Sequence, residues 1–359
     1  MKLLVIGAGN GGAATAVELS RAGHDVTLHA RSEATLSPFR NGGIRYVGVL
    51  GEGCVPIALL TTDLGEAVRD VDAAIVALPT FAHAGVARAL HAAGWGDRRP
   101  VILNPGHTGG AFEVETVFRD AGGPVPPIVE FSTLAYVARK LAPDTVNITG
   151  RAKSLRAASL PGGSEALAMA CSLFPGIYDT RSVLASDLSN VNMILHPPGA
   201  MLSAAWVEAT GGDFRFYVDG MTPGTIEVMR ELDDERRSVA QSFGHALPSV
   251  IGEMRAIGTV PADAADTDYT AIAAGEANSR IMAPDSLAHR YYTEDFAHGL
   301  VPFLALAGIA GVDVPVASAL VVLHTSMTRN LAAPALRDAR AMGIENLSLD
   351  ELRRRAGAC

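Results

Sequence analysis

Cysteine and lysine are both scarce in this chain, and each scarcity bears on what the chain can do. Cys54, Cys171 and Cys359 are far apart and show no C-x-x-C spacing. A disulfide framework and a zinc site built on paired thiolates are therefore excluded, and a reducing cytoplasm is the expected compartment. His289 and His298, nine residues apart, do not have a ligand spacing either, so no metal site is expected. The net charge is −9 with the arginines scattered, so no basic stripe is available for a phosphate backbone and no nucleic-acid role is expected. Long apolar runs are also missing. The first, Leu3–Ile6, is cut short by glycine and reads as a strand rather than a signal peptide. The run 301–323 is broken by Pro302, Asp313 and Pro315, which predicts a buried helix, a turn and a second helix rather than a membrane span.

What is present is an apolar, compact chain. With 359 residues, 48% of them hydrophobic and 19% charged, two domains can each bury a core. Short β-branched runs at 2–6, 25–29, 73–77 and 100–103 alternate with helical patterns at 13–22, 64–68 and 84–93, the signature of βαβ units and a parallel sheet. Further strands are expected at 127–130, 144–148 and 154–158 and a helix at 165–173, so the sheet continues to about residue 180. From Ser186 the period changes to helical, at 186–210, 224–243 and 300–307. The expected division is an α/β doubly wound domain over 1–184 and a largely helical domain over 185–359. The alanine-rich second half points toward a subunit interface, as in a homodimer.

Gly7-Ala8-Gly9-Asn10-Gly11-Gly12 follows the first strand and opens the first helix. In that context G-x-G-x-x-G is a dinucleotide-binding fingerprint of the Rossmann type. Gly7 makes the tight turn, Gly9 lets backbone approach the pyrophosphate, Gly12 lets helix and strand pack closely, and Asn10 and Gly11 present N–H groups at the helix start. An enzyme preferring NAD(H) usually carries a carboxylate at the tip of the second strand. Here His29 is followed by Ala30-Arg31-Ser32, so Arg31 and Ser32 are candidates for a 2′-phosphate, and NADP(H) is preferred over NAD(H). An ordinary exposed arginine is the other reading. Leu78, Pro79 and Asn104, at the ends of later strands, are candidates for the nicotinamide side; each is also common turn chemistry.

In the helical half, Asn192 and His196 lie four residues apart on one face of an otherwise apolar helix, with Ser189 a turn earlier. Pro197 and Pro198 are expected to end or kink that helix at His196. A histidine so placed is a candidate acid/base. Residues 288–295 supply Arg290, Tyr291 and Asp295 as partners, although Thr293 as a helix N-cap followed by Glu294 and Asp295 would explain the acids without chemistry. Met193, Trp206, Tyr291 and Tyr292 are candidates for lining a mostly apolar donor pocket, or for core.

Taken together, the N-terminal GAGNGG, Asn192-x-x-x-His196-Pro197 and Arg290-Tyr291-x-x-x-Asp295 resemble the octopine/nopaline (opine) dehydrogenase family. Residues 103–106, 109–110 and 130–134 with Arg139 extend the resemblance over most of the chain. It implies an NAD(P)-dependent oxidoreductase acting on CH–NH: an α-keto acid such as pyruvate condenses with the amino group of an amino acid, and hydride reduces the imine. By the same resemblance His196 is the acid/base, Asp295 orients it, Arg290 binds a carboxylate or sets the His–Asp pair, and Thr133 lies near substrate. The rival enzymes are ketopantoate and β-hydroxyacid reductases, which rely on a lysine. Of Lys2, Lys140 and Lys153, none stands in the place of His196, and Lys140 is the one to test. A non-catalytic NADP sensor is the alternative of a different class.

Overall fold

The computed structural model describes residues 1–275, 278–332 and 335–357; Cys359 lies outside them. The chain forms two compact units, one of Met1–Gly106 with Gly110–Asp179, the other of His107–Gly109 with Thr180–Cys359.

The first unit contains twelve strands in two sheets: β1 (Lys2–Ile6), β2 (Asp25–His29), β3 (Ile44–Gly48), β4 (Gly53–Val55), β5 (Leu59–Thr61), β6 (Ala73–Val76), β7 (Val101–Leu103), β8 (Ile128–Phe131), β9 (Tyr136–Ala142), β10 (Thr145–Arg151), β11 (Leu155–Ser159) and β12 (Ile177–Asp179). The large sheet runs β12-β11-β8-β7-β6-β1-β2-β5. Its strands from β5 to β8 are all parallel. Numbered among themselves they stand in the order 3-2-1-4-5-6 of the Rossmann fold, with the reversal between β1 and β6. These strands are buried on both faces, as Leu3–Ile6 and Ala73–Val76 show, and so read as continuous apolar runs. β11 is antiparallel to β8.

The expected single sheet needs one correction. The strand expected at 144–148 is β10, and it belongs to a separate sheet ordered β4-β3-β10-β9. Its residues alternate, with Val146 and Ile148 buried between less buried neighbours, because this sheet is covered on one face only, by the helix Asn10–Arg21. The hold is polar as well as apolar. Glu18, on that helix, accepts from Tyr136 Oη and from Arg151 Nε at 2.7 Å, so one carboxylate ties both strands of the β9–β10 hairpin.

The second unit is helical, with no strand among its described residues beyond an isolated Arg215–Met282 bridge. The stretch expected as one helix over 186–210 is three: Val183–Asp187, Val191–Leu202 and Ala204–Thr210. Pro197 and Pro198 do not end the middle one, which continues to Leu202. Every residue from Met193 to Met201 is buried, so packing on all sides holds a backbone that has lost two N–H donors. Arg236 fixes the turn before this helix, donating to Leu188 O at 2.8 Å, Pro248 O at 2.6 Å and Asp233 Oδ1 at 2.7 Å. The run 301–323 is divided between the helices Val301–Ala310 and Pro315–Met327. Among the described residues no helix is long and apolar enough to cross a membrane.

Glu18→Ala strips Tyr136 and Arg151 of their shared acceptor. Urea unfolding is expected to show a loss of about 2 kcal/mol, the scale of a partly buried charge-assisted hydrogen bond; an unchanged midpoint would contradict the role given to Glu18.

Candidate active site

The glycine loop between β1 and the helix Asn10–Arg21 is built for close approach. Gly7 has φ +111°, and a methyl group there would fall 2.6 Å from Ala77 O and 2.8 Å from Leu78 Cδ2. A methyl on Gly12 would sit 1.8 Å from Gly7 O, whereas one on Gly9 would meet no atom within 4 Å. The outer glycines are thus demanded by packing, and the middle one faces open space where a pyrophosphate can reach backbone N–H groups. Gly11 lies against Leu134, whose side chain would be 3.1 Å from an added methyl. Asn10 uses its side chain structurally: Oδ1 accepts from Lys140 N at 2.9 Å, pinning β9.

Arg31 and Ser32 are exposed at the tip of β2, and Ser32 makes no side-chain cap to the helix Glu33–Arg40. The first carboxylate after β2 is Glu33, which is bound on both oxygens by Arg40, at 2.6 and 2.8 Å. Leu78 is half-buried over the loop and Pro79 is exposed. Asn104 is fully buried: Oδ1 accepts from Ala135 N at 3.0 Å, while Nδ2 has no protein partner. A buried amide donor without an acceptor is costly unless something else supplies one. Together with the open face at Gly9, it fits a bound dinucleotide. Asn104 also fixes the turn carrying Thr133, which is itself buried.

In the helical unit the structure brings His196 to Asp295 across 99 residues of sequence. A carboxylate only accepts, so His196 Nδ1–H donates to Asp295 Oδ2, at 2.8 Å. The other ring nitrogen, Nε2, lies 2.8 Å from Tyr217 Oη. Tyr291 stacks on the imidazole with ring centroids 3.8 Å apart and 20° between planes. Tyr217 was missed in the sequence, where it is one tyrosine in a loop with no periodicity to mark it. Burial and the hydrogen bond to Tyr291 push its phenol well above the ordinary range. Arg290 stands at the rim, exposed, its guanidinium 5.7 Å above the Tyr291 ring and 3.9 Å from Glu294.

Thr293 is not an N-cap. It lies inside the helix Arg290–Asp295, whose N-cap is His289, with Nδ1 accepting from Tyr291 N at 3.3 Å. Helix capping therefore does not account for Asp295, which sits at the last helical position and runs into the π-helical turn Phe296–Leu300. Such turns recur at functional sites because the extra residue re-aims the side chains around it. Asn192 is half-buried one turn before His196, and Ser189 points elsewhere, donating to Glu253 at 2.9 Å. Of the apolar candidates, Met193 and Tyr292 are core, Tyr292 donating to Ala200 O at 2.8 Å, while Trp206 is exposed and stacks on Phe214.

His107 and His298 were also missed. Both are buried, each with one ring nitrogen lacking a protein partner, His107 Nε2 and His298 Nδ1. Arg337, fully buried, connects their surroundings: NH1 donates to Thr108 O and the backbone N to Ala297 O. Burial drives both imidazoles down to about 3. They are neutral in the folded chain, and the unfolded chain binds the extra protons between about pH 3 and 6.5. Stability from these two groups is therefore complete above pH 6.5 and falls as the pH drops below it, by about 1 kcal/mol per pH unit for each. Urea unfolding of His107→Gln/His298→Asn between pH 7 and 5 is expected to lose this slope; an unchanged slope would contradict the assignment.

A family model described as NAD/NADP octopine/nopaline dehydrogenase, alpha-helical domain, matches residues 180–328, and one for ketopantoate reductase PanE/ApbA matches residues 3–104. The chain is 31% identical over 353 residues to an opine dehydrogenase of Arthrobacter sp. (strain 1C), covering 97% of each. It is 26% identical to a vitopine synthase of Allorhizobium ampelinum, covering 88% of this chain and 87% of that one. A solved octopine dehydrogenase in complex with NADH and agmatine shares the fold, with a TM-score of 0.76 at 20% identity over 99% of this chain and 98% of that one. So does NADP+-bound yersinopine dehydrogenase, with a TM-score of 0.73 at 17% identity over 99% of each.

Proposed function

Since the chain belongs to the opine dehydrogenase family of NAD(P)-dependent oxidoreductases acting on CH–NH, we propose that it condenses an α-keto acid such as pyruvate with the amino group of an amino acid and reduces the resulting imine. The observation that carries this is the buried pair of His196 and Asp295. A carboxylate behind the imidazole holds the proton on Nδ1 and fixes the ring, leaving Nε2 as the nitrogen through which a proton is exchanged toward the site. The bound nicotinamide dinucleotide supplies hydride.

The chain's own residues do the rest. Exposed Arg290, only loosely engaged by Glu294, offers a planar pair of donors to a substrate carboxylate. Asn192, on the same helix as His196, is assigned with it to the catalytic set, and Thr133 and Tyr291 are each assigned to substrate contacts. NADP(H) is the preferred cofactor, because Arg31 and Ser32 are open at the tip of β2 while Glu33 is occupied by Arg40. Reduction of a keto acid alone by lysine catalysis is the less favoured reading. Lys140 Nζ lies 4.6 Å from the Phe39 ring centroid in the dinucleotide-binding unit, where burial lowers its pKa.

NADPH oxidation with pyruvate is expected to require an added amino acid and to fall by about 10²–10⁴-fold in His196→Asn with cofactor binding retained. Turnover that ignores the amino acid would contradict the proposal. Arg31→Ala is expected to raise KM for NADPH by about tenfold or more, the scale of one charge-assisted contact, and to leave KM for NADH nearly unchanged. Equal effects on both would remove Arg31 from the 2′-phosphate site.

A further inference from the structure

His196 meets the rest of its site through Nε2, since Nδ1 is committed to Asp295, and Nε2 is taken by Tyr217 Oη at 2.8 Å. Tyr217 is hydrogen-bonded onward to Tyr291, whose ring stacks on His196 and carries Arg290 over its face. Asp295, His196, Tyr217 and Tyr291 are all more than nine-tenths buried, so they form an unbroken hydrogen-bonded chain that ends beside the exposed guanidinium. The imidazole has no second free nitrogen to offer a substrate. Phe216 packs edge-on against both rings, 5.0 Å from Tyr217 and 6.3 Å from His196, and fixes the pair as a unit.

Resting on the reaction proposed above, we propose that Tyr217 is a catalytic residue: its hydroxyl passes the proton between His196 Nε2 and the carbonyl oxygen of the keto acid. As the amine attacks the carbonyl carbon, the C–N bond forms, the C=O π bond breaks, and its oxygen takes the Tyr217 proton. His196 Nε2–H refills the phenol in the same event and the ring becomes neutral. The proton on the newly quaternary nitrogen then returns through Tyr217 to Nε2. Delivered a second time, to the hydroxyl, it lets water leave and the C=N bond form. The iminium carbon accepts hydride and one proton is consumed overall, as the stoichiometry requires. Burial holds the phenol far above its ordinary range, so a standing phenolate is disfavoured and both protons move together.

Single-turnover oxidation of NADPH tests this with Tyr217→Phe, which keeps the ring packed against Phe216. The rate is expected to drop about 10²–10³-fold, with KM for the keto acid and thermal midpoint near wild type. In mixtures of light and heavy water the wild-type rate is expected to bow downward with deuterium fraction, the mark of two protons in flight. A tyrosine that only holds His196 in place would give a straight line, and that result, or a Tyr217→Phe rate within about threefold of wild type, overturns the relay. The two proposals fail separately. A wild-type enzyme that reduces keto acid without amine contradicts the condensation, and the relay is then read on that carbonyl by the same variant. Condensation at full rate by Tyr217→Phe contradicts the relay alone. No turnover of any keto acid contradicts both.

Discussion

His196 is buried in an apolar helix and has both ring nitrogens hydrogen-bonded, and much of the helical unit serves those two bonds. His196 lies on a helix buried along nearly its whole length, where an unpaired polar nitrogen would cost on the order of 1–3 kcal/mol. Asp295 meets one nitrogen and Tyr217 the other, and each partner demands its own support. Asp295 is delivered by a short helix started by His289 and relaxed into a π turn. Tyr217 comes from a loop whose aromatic neighbours, Phe216 and Tyr291, close around the imidazole. The proline pair after His196 is tolerated because the helix is held by packing rather than by its own hydrogen bonds.

The dinucleotide-binding unit obeys a simpler constraint, that backbone must come close to backbone. Gly7 and Gly12 are needed because a single methyl would overlap a carbonyl oxygen, and Gly9 because nothing of the protein occupies the space in front of it. The small sheet laid over the same helix keeps this loop in place through Asn10 and Glu18. The residue chosen in the sequence as a cofactor contact, Asn10, therefore has a structural duty of its own.

What could be read from the sequence was local or periodic. The glycine loop, the parallel strands β1, β2, β6 and β7 and the placement of Asn192 and His196 on one helix depend on residues within a few positions of one another. The second sheet was hidden because β3 pairs with β10 about 100 residues later, and proximity in sequence says nothing of that pairing. Tyr217, His107 and His298 carry no spacing signal; Tyr217 stands out by its hydrogen bond to His196, and the two histidines by the ring nitrogen each leaves without a protein partner after burial. The alternative reading of Asp295 through a Thr293 N-cap does not hold because Thr293 falls inside the helix, a distinction of a few residues that local propensity does not resolve.

The central claim is that carbon and nitrogen are joined before hydride arrives. The most direct measurement is mass spectrometry of the product formed from NADPH stereospecifically deuterated at C4, with the transferable position labelled, in the presence of pyruvate and a pool of amino acids. The account predicts a secondary amine containing both carbon skeletons, with one deuterium at the former carbonyl carbon. Deuterated 2-hydroxy acid as the sole product, with the amino acids unchanged, would contradict it.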